Sequence, residues 1–444
     1  MLRRKVEQKI TDWIRYSKSA LLVSGARQVG KTFTIRECLK KEGCDFLEVN
    51  LVEHPELVPV FEKAVSFEDL KISLSAVFGY HFEKGKSFLF IDEIQEAKDV
   101  ATKIKFWVDE GSCRYILSGS LLGVELKDVR SAPVGYLEEI QMYPLDFAEF
   151  LDASEVLPET IQYLKKCFDE KTPVLDAVHE KMMTHFYRYL VVGGMPAALD
   201  EYAKSRDIGR VTEIQRNILE LYKKDFSKYE QKEKKLMLIA LYEAIPSQLL
   251  KQNKRFNFSD VQKKLRFERL ESSFLWLSAS GVAIPTYNAT EPRVALKQNQ
   301  KSSCLKLYSS DVGLLTEQYG DALRMNILLR DEKVNLGGVF ENAVAQELHA
   351  HGFASYYYNS HKIGELDFLI EKGLEVVPLE VKSGKDYYVH SAISTVVNNP
   401  EYKINNAFVF ANCNVSIKEK ITYMPVYLCT FLNKALKMPV LEKI

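Results

Sequence analysis

The chain has 444 residues, too many for one ordinary hydrophobic core, so two to four domains are expected. Lys+Arg and Asp+Glu are each 60, so the net charge is zero and no chain-wide basic excess marks a nucleic-acid partner; such contact needs a local patch. Seven scattered cysteines with no CxxC pair argue against a disulfide framework or zinc site, and no run nears the roughly 20 apolar residues of a membrane span, so a cytoplasmic protein away from membranes is expected.

Ala20 to Ser24 reads as a buried strand. It runs into Gly25-Ala26-Arg27-Gln28-Val29-Gly30-Lys31-Thr32, and Phe33 to Leu39 continue with helical spacing. This is G-x-x-x-x-G-K-[ST] in a strand–loop–helix setting, which implies ATP and Mg²⁺ as cofactors. Gly25 and Gly30 let the loop close its backbone N–H groups around the phosphates, with Ala26, Arg27, Gln28 and Val29 between them. Lys31 reaches the β- and γ-phosphates, Thr32 ligates Mg²⁺, and the helix amino terminus adds its dipole.

Ser87 to Glu93 is an apolar strand ending in two carboxylates. Asp92 is expected in the Mg²⁺ shell and Glu93 as the group that polarises the attacking water. Arg114 to Ser120 reads as another core strand, and Ser118 or Ser120 is the polar sensor near the γ-phosphate. Leu137 to Phe150 reads as the last core strand turning into a helix, with Pro144 at the break.

Residues 156–230 have helical spacing, interrupted by a tight turn at Gly193-Gly194-Met195-Pro196. A helical lid is expected, with Arg216 as a candidate phosphate contact. Beyond 231, three short helices and a hairpin, Val282–Tyr287 with Cys304–Tyr308, describe a winged helix. Lys263, Lys264, Arg266 and Arg269 begin its third helix, where a groove-reading element or a solvated docking face would lie.

In the last segment, 326–444, Gly338 to His349 reads as a helix carrying Glu341. Glu365 to Ile370 and Leu374 to Lys382 read as a hairpin. A turn centred on Lys372-Gly373 puts Asp367 opposite Pro378 and diagonal to Glu380 on one face, with Lys382 and Glu365 on that face too. Two carboxylates at such spacing can hold a divalent cation beside an ammonium.

Gly25–Thr32, Phe90–Gln95, Leu117–Ser120 and Tyr143–Phe150, in that order, resemble a prokaryotic family of AAA+-like ATPases with a carboxy-terminal domain of unknown function. The resemblance continues through Val192–Pro196, Gly338–Asn342, Glu365–Phe368 and Leu379–Lys382. The Asp…Glu-x-Lys hairpin with its helical glutamate resembles the PD-(D/E)xK nuclease superfamily. That resemblance implies Glu341, Asp367 and Glu380 as metal ligands and Lys382 as the residue that positions or deprotonates water. Gly135-Tyr136 departs from the Gly-Arg usual in relatives, and Arg130 is the nearest substitute.

The expected fold is therefore α/β: a parallel-sheet P-loop domain over 1–155, a helical lid over 156–230, a winged helix over 231–325 and a nuclease-like domain over 326–444. The functional expectation is an ATPase coupled to nucleic acid, DNA more than RNA, that associates with copies of itself. The alternative is a nucleotide-dependent switch or scaffold whose last domain only binds DNA or protein.

Overall fold

The computed structural model describes residues 2–97, 99–120, 135–226, 232–261 and 267–434. The chain divides into two compact units, Met1–Tyr143 with Leu275–Val282 and Pro144–Phe274 with Ala283–Ile444. The lid, winged-helix and carboxy-terminal segments all fall in the second unit, apart from residues 275–282.

The first unit is built on five parallel strands, β1 (Ala20–Gly25), β2 (Phe46–Asn50), β3 (Phe88–Asp92), β4 (Arg114–Gly119) and β5 (Leu137–Met142), in the order β2-β3-β4-β1-β5. β1, β3 and β4 are near-continuous apolar runs because helices cover both faces of a parallel sheet. β5 is an edge strand, and Glu138, Glu139 and Gln141 are exposed on it. β4 lies between β1 and β3, pairing Val23 with Ser118 and Leu117 with Ile91. Three chemistry-bearing strand ends therefore meet at the carboxyl edge, where open parallel sheets bind ligands. Leu22, Val49, Phe61, Leu70, Ile91, Trp107 and Leu117 fill the core beneath.

The second unit opens with helix Phe147–Ala153, started by a capping box between Asp146 and Glu149. Four further helices follow, Pro158–Glu170, Asp176–Val192, Pro196–Ser205 and Ile208–Phe226. The turn at Gly193-Gly194 is a close backbone approach. Leu145 N donates to Gly194 O at 2.7 Å, and a Cβ on Gly194 would sit 1.9 Å from Leu145 O. Arg216, the candidate phosphate contact, pairs instead with Glu317 at 2.9 Å and Asp321 at 3.6 Å, because those acids lie beside it in the same unit.

Helices Lys232–Leu249, Phe258–Val261 and Phe267–Ala279 precede a hairpin of β6 (Ala283–Ala289) and β7 (Gln300–Ser309). This hairpin is not a free two-stranded wing. β6 runs parallel to β8 (Tyr356–Ser360), pairing Tyr287 with Tyr356 and Ala289 with Tyr358. Pairing follows from burial: no residue of β6 is exposed, so its outer backbone groups need partners that solvent would otherwise supply. Lys263, Lys264 and Arg266 lie outside the described residues, and Arg269 is exposed.

The resulting sheet has eight strands in the order β12-β13-β11-β10-β9-β8-β6-β7. Its remaining strands are β9 (Gly364–Lys372), β10 (Glu375–Lys382), β11 (Ala407–Ala411), β12 (Ser416–Lys418) and β13 (Ile421–Pro425). β9 runs antiparallel to both β8 and β10, whereas β10–β11 and β11–β13 are parallel. The β9–β10 turn falls one residue later than the sequence expectation. Lys372 pairs with Glu375, leaving Gly373-Leu374 as a two-residue turn with φ 69° at Gly373. The last recorded pair, Leu379 with Phe368, sets Glu380 directly across from Asp367 rather than diagonal to it. A register shift of two residues leaves both side chains on the same face.

Candidate functional site

The P-loop joins β1 to helix Lys31–Lys41 with three residues at positive φ: Gly25 at 143°, Gln28 at 67° and Gly30 at 89°. A Cβ on Gly25 would lie 2.2 Å from Met142 O, so only glycine allows the loop to leave the sheet here. Lys31 is buried, and its Nζ donates to Gly25 O at 3.0 Å and Ala26 O at 2.9 Å. Thr32 Oγ1 donates to Asp92 Oδ2 at 2.7 Å. Ser118 Oγ donates to Asp92 Oδ1, and Glu93 N donates to that same oxygen at 3.0 Å. Asp92 therefore ties together the loop helix, β3 and β4.

Glu93 lies just past β3 in the left-handed region, φ 54°, and its carboxylate accepts from Gln95. A non-glycine residue held there stores about 1 kcal/mol of backbone strain. Ser120 is buried one residue beyond β4, and Arg130 lies outside the described residues. Arg27 is half-buried, Gln28 exposed, and Ala26 and Val29 buried within the loop. The hydroxyl of Thr32 and the carboxylate of Asp92 are hard oxygen donors on one spot, which fits Mg²⁺.

The second unit holds a separate acidic cluster. Glu341 lies on helix Gly337–Ala350, Glu365 and Asp367 on β9, and Glu380 and Lys382 on β10. Glu341, Asp367 and Glu380 are buried. Val381 N donates to Asp367 Oδ2 at 2.9 Å, fixing that carboxylate against the opposite strand. Lys382 Nζ lies 2.8 Å from Glu380 Oε1. Burial, then repulsion from Asp367, pushes the Glu380 carboxyl up to about 8 even with Lys382 beside it. Its buried Oε2 has no hydrogen-bond partner. Burial likewise raises the Glu341 carboxyl, followed by repulsion from Asp367, while Lys306 and Lys254 pull it down.

Three groups here escape the motif reading. Lys306, on β7, is fully buried and lies 2.6 Å from Glu365, 3.6 Å from Glu341 and 3.7 Å from Asp367. Tyr308 donates to Glu341 Oε2 at 3.1 Å, and Lys254 pairs with Glu341 Oε1. The available signal is Leu305-Lys306-Leu307, a lysine between apolar residues in a strand flanked by Cys304 and Tyr308, all buried. A lysine inside a buried strand needs partners, since burying an unpaired charge is costly.

A different trio, Asp146, Glu347 and His351, also gathers its ligand-type atoms within 4.8 Å. Its carboxylates serve the start of helix Phe147–Ala153. Asp146 accepts from Glu149 N at 2.9 Å, and Glu347 accepts from Phe147 N at 2.7 Å.

Residues 17–151 match the AAA domain family. That match supports ATP binding and hydrolysis by this part of the chain. Residues 183–322 match one domain of unknown function (DUF8612), and residues 336–429 match another (DUF4143). Similar solved structures include a Walker-type ATPase of Pyrococcus abyssi, 16% identical, covering 72% of this chain and 96% of its own, with a TM-score of 0.42. Pif1 from a Bacteroides species is 17% identical over 37% of this chain and 49% of its own, with a TM-score of 0.20. No curated protein sequence matches. Among the described residues no helix is long and apolar enough to cross a membrane.

Proposed function

We propose that the chain is a Mg²⁺-dependent ATPase acting as a switch on nucleic acid, in which turnover controls when the nuclease-like part of the second unit engages DNA. The observation carrying the ATPase half is the Thr32–Asp92–Ser118 linkage beneath a glycine-shaped loop. Lys31 would hold the β- and γ-phosphates and Glu93 would orient and polarise water. Mg²⁺, when bound, would offset the charge that develops on the transferred phosphoryl. Ser118 would set the Asp92 carboxylate toward Thr32.

The nucleic-acid half is supported by the convergence of Glu341, Asp367, Glu380 and Lys382, the constellation of the PD-(D/E)xK superfamily. Metal-dependent cleavage of DNA is the second reading, and that same constellation favours it. DNA binding by the full chain, followed against salt with ATP and with ADP, tests the switch. Nucleotide-independent affinity would defeat it. A nuclease assay with Mg²⁺ or Mn²⁺ on wild type and Lys382→Ala decides the second reading, since cleavage lost in the variant would establish it.

A further inference from the structure

We infer that the buried ammonium of Lys306 is the resident cation of the acidic cluster, so that this nuclease-like site holds its carboxylates together without a divalent metal. The inference rests on the nuclease-like reading of the second unit and specifies the state of that site.

The position of the ammonium carries the argument. A metal bridging the carboxylates of the helix and of β9 would have to touch Glu341 and Asp367 at once. Lys306 Nζ already lies within 3.7 Å of both, and 2.6 Å from Glu365 as well. A divalent ion there would face an ammonium in the same small space, and like charges in a buried site repel strongly. The lysine has no route out. Its side chain is 0% exposed, its nitrogen lies 5.3 Å from the Tyr357 ring centroid, and residues 304–309 of its strand are all buried.

The charge arithmetic agrees. Lys254 covers the outer oxygen of Glu341, and Lys382 covers Glu380. The four carboxylates Glu341, Glu365, Asp367 and Glu380 thus face three ammonium groups. Glu341, Glu365 and Asp367 each have the Lys306 ammonium within 3.7 Å, whereas Glu380 meets Lys382 through Oε1 and keeps a buried Oε2 with no hydrogen-bond partner.

The test is Mn²⁺ binding to the nucleotide-free full chain, read by electron paramagnetic resonance, with Asp92→Asn present throughout to silence the P-loop site. Four chains are compared: Lys306 intact, Asp367→Asn alone, Lys306→Met, and Lys306→Met with Asp367→Asn. Met keeps the length of the side chain and removes the charge. The expected result is no acidic-cluster binding with Lys306 intact, a gain of about tenfold or more in affinity on Lys306→Met, and loss of that gain with Asp367→Asn. If Lys306→Met fails to fold, the intact chain still decides. Tight Mn²⁺ binding there that Asp367→Asn abolishes would overturn the inference, and binding unchanged by Asp367→Asn would uphold it. DNA binding measured on the same samples separates the two proposals. Absent DNA binding defeats the nucleic-acid reading and leaves the cation assignment standing.

Discussion

Lys31 is the buried loop cation, already fixed by two backbone carbonyls at the end of β1. Lys31→Ala is expected to weaken ATP binding at least about tenfold in a direct titration. Glu93→Gln keeps the shape and its contact range with Gln95 but removes the carboxylate. ATP binding should persist while steady-state turnover falls about 100-fold or more. Glu380 gives a pH signature. Its carboxyl is raised to about 8 in the folded chain, whereas unfolded it returns to about 4.3. Between those values the folded state binds more protons than the unfolded state, so stability falls as pH rises through the window. Glu380→Gln, neutral throughout, should flatten that decline in thermal melts between pH 5 and pH 8. The residues with a motif around them were legible before any fold was known: Gly25 to Thr32, Asp92 and Glu380-x-Lys382. Lys306 was not, because its partners lie on strands and a helix far along the chain, and only the fold shows which acids surround it.

At the scale of elements, apolar runs announced β1, β3 and β4, and Ser66, Asp146 and Asp311 cap helices as short polar residues do. Pairing partners were harder to read. The sequence leaves the β9–β10 turn open by one residue because Lys372-Gly373 and Gly373-Leu374 both offer a glycine, and the fold uses the latter, with Gly373 at the first turn position. The hairpin of β6 and β7 has the local pattern of a wing because nothing local states that β6 will find β8. The Gly193-Gly194 turn gives the clearest element-level prediction. Gly194→Ala would drive a methyl into the Leu145 carbonyl, and a loss of about 3 kcal/mol in chemical unfolding of the second unit is expected. A melt indistinguishable from wild type would show that the backbone can yield there.

For the whole molecule, length sets an expectation of two to four domains and says nothing of how segments group into the two compact units. Zero net charge names no partner, and the acidic cluster with its lysines shows how charges far apart in the chain are brought into compensation locally. Gly135-Tyr136 departs from the Gly-Arg that the family resemblance leads one to expect. If a neighbouring copy completes the ATP site, the Glu93→Gln chain should grow in mass by light scattering when ATP is added. A monomer at every ATP concentration that turns over normally as wild type would mean a self-sufficient site.

The sheet of the second unit has a practical consequence for anyone dividing this chain. The match to the last domain family begins at residue 336, yet β6 and β7 lie before that boundary and supply two of the eight strands. A fragment cut there would bare the β8 edge, an open template for sticking to other chains. It would also leave Glu341, Glu365 and Asp367 crowded without Lys306. Such a piece should precipitate or bind adventitious ions, and both behaviours would belong to the cut rather than to the protein. A workable fragment starts before Ala283.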